Sequence, residues 1–348
     1  MKATHARAIA ADWVMRHEAV RSGFAGAYFI GSSVDLDGSD ELPNASDVDV
    51  AIAVEGWSEL PHRFKVAHRD VIIEVTYLSL EHLADRERVL HSYHLAAGLW
   101  RNTIICDPTG YLQKLHTLVA GLYQYEEQVR ERCAGALHKV EDGLAGVRED
   151  ATFADQVLAW VFPTGVTTHV LLTAGLRNPT VRLRYGSVRA LLAEYSMNDV
   201  YLQLLDLLGV TSVSSHRMLR HVDALERAFN TAVATPHRPL PFDADISSLG
   251  RPAAVNSLRT LVESGRPDEA AFWVIVTFAR CCKVFHEATR PRSSLASHIG
   301  AFRALTSDLG IGTLDDMRVR SAKVRDLLPD LRDASEQIIK ANPDVIHE

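Results

Sequence analysis

The sequence predicts an α+β protein, with a small mixed β-sheet domain over residues 1–120 and a larger all-helical domain over residues 121–348. Three observations carry that expectation. Short β-branched or aromatic runs ended by Gly, Ser, Asp or Pro recur through the first third of the chain. From about Tyr123 onward the apolar residues recur with a helical period instead. The chain's 348 residues, 47% of them hydrophobic, exceed a typical domain of ~150 residues and allow a sizeable core.

The N-terminal segment reads as an amphipathic helix near Thr4 to Arg21. Asp12, Arg16 and Glu18 interrupt its apolar positions, which does not fit the apolar run of a secretory signal. Four strands follow from AGAYFIGS, SDVDVAIAV, DVIIEVTYLS and NTIICDP. A helix from about Leu80 to Leu99 separates the last two, and another begins after Pro108 with Thr109 as its cap. Helical segments are expected near residues 123–145, 151–161, 187–208, 213–234, 252–264, 267–289, 295–308 and 314–340. Their punctuation is PTG at 163–165, NPT at 178–180 and TPHRPLPFD at 235–243, and residues 235–245 form a candidate internal linker.

Charge and cysteine usage narrow the function classes. Lys and Arg number 37 against 44 Asp and Glu, a net charge of −7, so no strongly basic nucleic-acid surface is indicated. The acid excess concentrates early, and the stretch Ser22 to His62 contains no Lys or Arg. Cys106, Cys133, Cys281 and Cys282 form no CxxC pair and no secreted framework, which fits a reducing compartment without structural zinc. Ala270 to Ala279 is too short to cross a bilayer, which takes ~20 residues. A cytoplasmic protein with no membrane partner is therefore expected.

The chemistry-bearing stretch runs from Ala27 to Val54. A strand ends in Gly31-Ser32-Ser33, a loop follows, and a second strand opens with Ser46-Asp47-Val48-Asp49. Alternation along a strand puts Asp47 and Asp49 on one face with Cα atoms ~6.5–7 Å apart, close enough to share a divalent cation. Gly31 lets a phosphate approach the backbone, and Ser32 and Ser33 offer hydroxyls and N–H groups to it. Glu74 lies between Ile73 and Val75 in an otherwise apolar strand, where an unpaired carboxylate would be costly. Three acids on neighbouring strands fit a two-metal phosphoryl- or nucleotidyl-transfer centre, with ions ~3.5–4 Å apart.

Gly31-Ser32, a loop, Asp47-x-Asp49 in hydrophobic flanks and a later strand acid together resemble the polymerase-beta-type nucleotidyltransferase superfamily. Within it, Gly31-Ser-Ser-Val-Asp35, Ser46-Asp-Val-Asp49 and Glu74-Val-Thr76 are most similar to the aminoglycoside adenylyltransferases that modify streptomycin and spectinomycin. The likeness covers roughly residues 25–80. It implies that Asp47 and Asp49 bind Mg²⁺, joined by Glu74 where two ions are held. It also implies that Ser32 and Ser46 hold the triphosphate and that Glu74 activates the acceptor hydroxyl. ATP or another NTP would be the co-substrate, and a small-molecule hydroxyl compound the acceptor. The acidic loop Leu36 to Ala45 is longer than usual for the family, and the helical portion is larger.

Cations for pyrophosphate are scarce in the first domain, so the helical domain is expected to supply them from Arg184, Arg189 and Lys283. Alternative readings are a protein-AMPylating or antitoxin-type nucleotidyltransferase and an inactive nucleotide-binding regulatory module. Arg280 and His286 resemble the ribonuclease signature of HEPN helical domains, a short pattern that arises often by chance. His91 and His94 lack a third metal ligand in view. Trp57, Trp100, Trp160 and Trp273 read as core residues.

Overall fold

The computed structural model describes residues 1–43, 45–56, 63–179, 182–289 and 295–347; Trp57 lies outside them. Two compact units are present. The first comprises Met1–Gly135, Thr173–Arg182 and Ile339–Glu348, and the second Ala136–Leu172 and Leu183–Ile338. The sheet-bearing unit thus reaches past the boundary expected at residue 120 and takes in two later segments.

Its elements are α1 (Ala3–His17), β1 (Phe24–Ile30), a 3₁₀ turn (Ser32–Asp35), β2 (Val48–Val54), β3 (Arg63–His68), β4 (Val71–Ser79), α2 (Leu80–Ala84), α3 (Arg86–His91), α4 (Tyr93–Leu99), β5 (Ile104–Cys106) and α5 (Tyr111–Leu122). The mixed sheet has the order β3-β4-β2-β1-β5, with β2 and β4 parallel and the other neighbours antiparallel. This confirms the α+β class. It also adds a strand, β3, where none was expected. Phe64 and Val66 alternate with Arg63 and Lys65 there, and a two-residue turn at Arg69-Asp70 joins it to β4. Arg69 takes a left-handed conformation without the Asn-Gly that usually announces such a hairpin.

The two faces of the sheet are built differently. Val48, Val50, Ile52 and Val54 of β2, with Ile73, Val75 and Tyr77 of β4, pack against Ile9, Ala10, Trp13 and Val14 of α1. On the opposite face β2 presents Ala51 and Ala53, which share a cluster with Leu83, Val89, Ala96, Leu99, Leu112 and Leu115 of the covering helices. The single helix expected from Leu80 to Leu99 is broken into α2, α3 and α4 by internal caps. The Asp85 carboxylate accepts from the Arg88 N–H at 3.0 Å, and the Ser92 hydroxyl accepts from the Leu95 N–H at 3.3 Å. His91 and His94 consequently sit on different helices.

The remaining helices are α6 (Glu126–Leu144), α7 (Phe153–Ala174), α8 (Arg184–Glu194), α9 (Asn198–Leu208), α10 (Ser215–Val233), α11 (Ser257–Glu263), α12 (Pro267–His286), α13 (Ala296–Asp308) and α14 (Leu314–Ala341). A π-helical turn, Pro252–Asn256, leads into α11. The expected stop at PTG does not occur, because α7 runs through Pro163. The hydroxyl of Thr164 donates to the Trp160 carbonyl at 2.8 Å, and those of Thr167 and Thr168 donate to Thr164 and Gly165 at 2.6 and 2.7 Å. The buried threonine hydroxyls of this helix are thereby satisfied locally.

α7 is also long and apolar enough to cross a membrane, a candidate that ending the helix at residue 161 conceals. Most of that stretch is buried inside the protein, as in the core helix of a soluble chain. The candidate linker at 235–245 does not separate two units. His237 bonds Asp243 at 2.9 Å and Asp245 pairs with Arg280 at 2.8 Å, which ties the segment to its own helical unit.

Candidate active site

The sheet register assembles the site. Asp49 on β2 pairs directly with Glu74 on the parallel β4, and Lys65 on β3 lies opposite Glu74 from the other side. Ile30 of β1 lies opposite Asp49, so Gly31 follows immediately beside that carboxylate. Lys65, Glu74 and Asp49 therefore form one row across three strands, all on the face that carries Ala51 and Ala53. Asp47 precedes the first residue of β2 instead of lying within it. Even so, one carboxylate oxygen from each of Asp47, Asp49 and Glu74 lies within 4.8 Å of the others. The three acids singled out from the sequence are thus brought together.

Gly31 is required where it stands. Its φ of 71° and ψ of −163° belong to a region that essentially only glycine occupies. A Cβ added there would overlap the Asp49 carboxylate. The turn after it is held on both sides within the sheet unit. Arg7 donates to the Ser33 carbonyl at 2.7 Å, and the Asn178 amide donates to the Gly31 carbonyl at 3.0 Å and to the Asp35 carboxylate at 2.8 Å. Ser33 is buried, and its hydroxyl has no hydrogen-bond partner among the described residues. Ser32 opens the 3₁₀ turn, and the half-buried Ser46 donates its N–H to the Pro43 carbonyl at 2.8 Å.

The electrostatics are tightly coupled. Burial pushes Asp49 well above the usual carboxylate range, the charges of Asp47 and Glu74 push it further, and Lys65 and Arg63 oppose both. The Lys65 ammonium donates to both Asp47 and Glu74, while Arg63 donates to the second Glu74 oxygen at 3.0 Å. Burial works against the charge on Lys65, yet its two carboxylate partners push its pKa up. Burial likewise lowers Arg182, with Asp47 and Asp49 acting in the opposite sense.

The scarcity of cations expected for pyrophosphate in the first domain does not extend to the acids themselves, against which Lys65, Arg63 and Arg182 act. Lys65 and Arg63 belong to the strand that was not expected. Arg182 falls in the Arg-rich run around NPT but within the sheet unit. The cations chosen from the sequence are engaged within the helical unit. Arg184 lies 4.8 Å from the Phe272 ring centroid, Arg189 pairs with Glu269 at 2.6 Å, and Lys283 pairs with Asp155. Arg280, the first half of the ribonuclease-like pattern, is ion-paired with Asp245 and lies 5.3 Å from the Phe242 ring centroid.

Two outcomes follow from this geometry. Gly31→Ala is expected to leave the far-ultraviolet circular dichroism intact while weakening Mn²⁺ binding by about tenfold or more, because the Asp49 carboxylate is displaced. Calorimetric titration checks it, and unchanged affinity would contradict it. The second concerns pH in the presence of chelator. Below the ordinary aspartate value of 3.8, Asp49 is protonated in folded and unfolded chains alike. Above it, the unfolded chain loses the proton while folded Asp49 keeps it, so this group lowers stability as pH rises toward its raised value. Urea midpoints from about pH 4 to about pH 7 should therefore shift progressively in favour of Asp49→Asn over the parent protein. A gap that stays constant with pH would contradict that assignment.

No protein-family model matches the chain, and no curated protein sequence matches it.

Proposed function

We propose that the protein is a Mg²⁺-dependent nucleotidyltransferase. In this reading it transfers a nucleoside monophosphate, AMP from ATP, to a hydroxyl of a small polyhydroxylated and cationic molecule of the aminoglycoside kind. The supporting observation is the convergence of Asp47, Asp49 and Glu74 beside the Gly31-Ser32-Ser33 turn. The donor set suits the ion, since Mg²⁺ favours hard carboxylate oxygens and is usually held by one or two of them together with substrate phosphates. Asp49, pushed toward its neutral form, marks a place where added positive charge is favourable. Asp47 and Asp49 would hold the ion. When bound, it would neutralise charge that accumulates on the departing pyrophosphate.

The chain's own residues supply the rest. Gly31 opens the backbone to the phosphates, and Ser32, Ser33 and Ser46 offer hydroxyl and N–H donors. The Ser33 hydroxyl, buried and without a partner among the described residues, is a donor in reserve for that role. Glu74 accepts the proton of the acceptor hydroxyl. A carboxylate has roughly four lone-pair sites, so the bonds from Lys65 and Arg63 leave capacity for one more donor and fix its orientation. Within the sheet unit Arg63 and Arg182 contribute positive charge. The acid-rich stretch from Ser22 to His62 suits a cationic acceptor, since like-signed clefts focus opposite charge.

Incubation with Mg²⁺, each labelled NTP and a panel of aminoglycosides tests this reading. Pyrophosphate release is expected to require an acceptor, to vanish in Asp47→Ala and to fall by about 10²–10⁴-fold in Glu74→Gln. Release that is absent with every acceptor, alongside intact ATP binding, would make the protein a nucleotide-binding module instead.

A further inference from the structure

We infer that Lys65 stands in for the second divalent ion of the site, so that the carboxylate cluster takes one metal ion and not two. This rests on the nucleotidyl-transfer reading of Asp47, Asp49 and Glu74. Three carboxylates with oxygens within 4.8 Å of one another would ordinarily demand several positive charges from outside. The chain provides one of them internally. Lys65 lies directly across from Glu74 in the β3–β4 ladder, and its side chain is only 5% exposed. Its ammonium donates to Asp47 and Glu74 together and so occupies the space between them.

The remaining Glu74 oxygen is also engaged, by Arg63 at 3.0 Å. Both oxygens that a second ion would draw on already face fixed cations, and entry of another divalent charge beside Lys65 would be opposed by like-charge repulsion. Asp49 is placed differently. It lies on the far side of Glu74 from Lys65 in the strand row, beside the Gly31 turn. The single ion belongs on the Asp47 and Asp49 side, and Lys65 acts as a positioning residue that holds Glu74 in place without a metal of its own.

Metal stoichiometry separates this from the ordinary two-ion arrangement. Mn²⁺ is titrated into the full-length protein with a non-hydrolysable ATP analogue, and free Mn²⁺ is read by its electron paramagnetic resonance signal. The parent protein is expected to bind one Mn²⁺ per chain, Lys65→Arg one, and Lys65→Met two, with spin coupling between the ions in that variant alone. Two ions in the parent protein would overturn the role given to Lys65 while leaving the nucleotidyl-transfer reading standing. A folded Lys65→Met that still binds one ion would do the same. Absence of any Mn²⁺ binding in the parent protein would overturn both. If Lys65→Met does not fold, the parent stoichiometry decides alone.

Discussion

The parallel pairing of β2 with β4 is the constraint on which the site depends. It places Asp49 and Glu74 side by side on one face, where their charges repel. The sheet tolerates this because the two neighbouring strands each supply a remedy. On one side β3 brings Lys65 opposite Glu74. On the other, β1 ends at Ile30 opposite Asp49 and turns through Gly31, whose missing side chain leaves room for the carboxylate. Remove the register and the acids would be scattered polar residues at a sheet edge. Keep the register without Lys65, Arg63 and Arg182, and the cluster would be an uncompensated like-charge site in a partly buried setting.

Stability and chemistry are divided between the faces of the same strands. Alternation along β2 gives Val48, Val50, Ile52 and Val54 to the α1 side, where burial is complete or nearly so. The same alternation gives Asp49, Ala51 and Ala53 to the other side. Small side chains there let the short helices α2 to α4 approach closely, and the acid lies at the end of that row. β3 follows the same rule, with Phe64 and Val66 packed toward the α1 core and Arg63 and Lys65 turned to the carboxylates. One strand thus contributes both to the core that holds the sheet and to the charges that make its acids tenable.

Much of this arrangement is legible in the sequence, and what is not has identifiable causes. β1, β2, β4 and β5 announce themselves by β-branched runs, and Asp47, Asp49 and Glu74 stand out as acids in apolar surroundings. β3 is hidden because Arg63, Lys65 and His68 make it read as polar, and because Arg69-Asp70 is not a familiar hairpin turn. Its signal was the alternation of Phe64 and Val66 with charged residues just before the unmistakable strand from Val71. With that strand hidden, Lys65 and Arg63 carry no local sign of facing the acids, whereas Arg184, Arg189 and Lys283 stand in recognisable basic clusters. Helix boundaries failed for local reasons: Asp85 and Ser92 cap where continuous periodicity implied one helix, and Pro163 is absorbed inside α7 where it implied a stop. Pairing between strands distant in sequence, which sets the Lys65–Glu74–Asp49 row, is not contained in any local pattern.

On the proposed function, the carboxylate row and the Gly31 turn form one metal and nucleotide site. Calorimetric titration of a non-hydrolysable ATP analogue, with Mg²⁺ and with chelator, tests it most directly. One analogue per chain should bind in the presence of Mg²⁺, with affinity sharply reduced by chelator and by Asp49→Asn. Binding of equal strength with and without the metal, unaffected by Asp49→Asn, would contradict it.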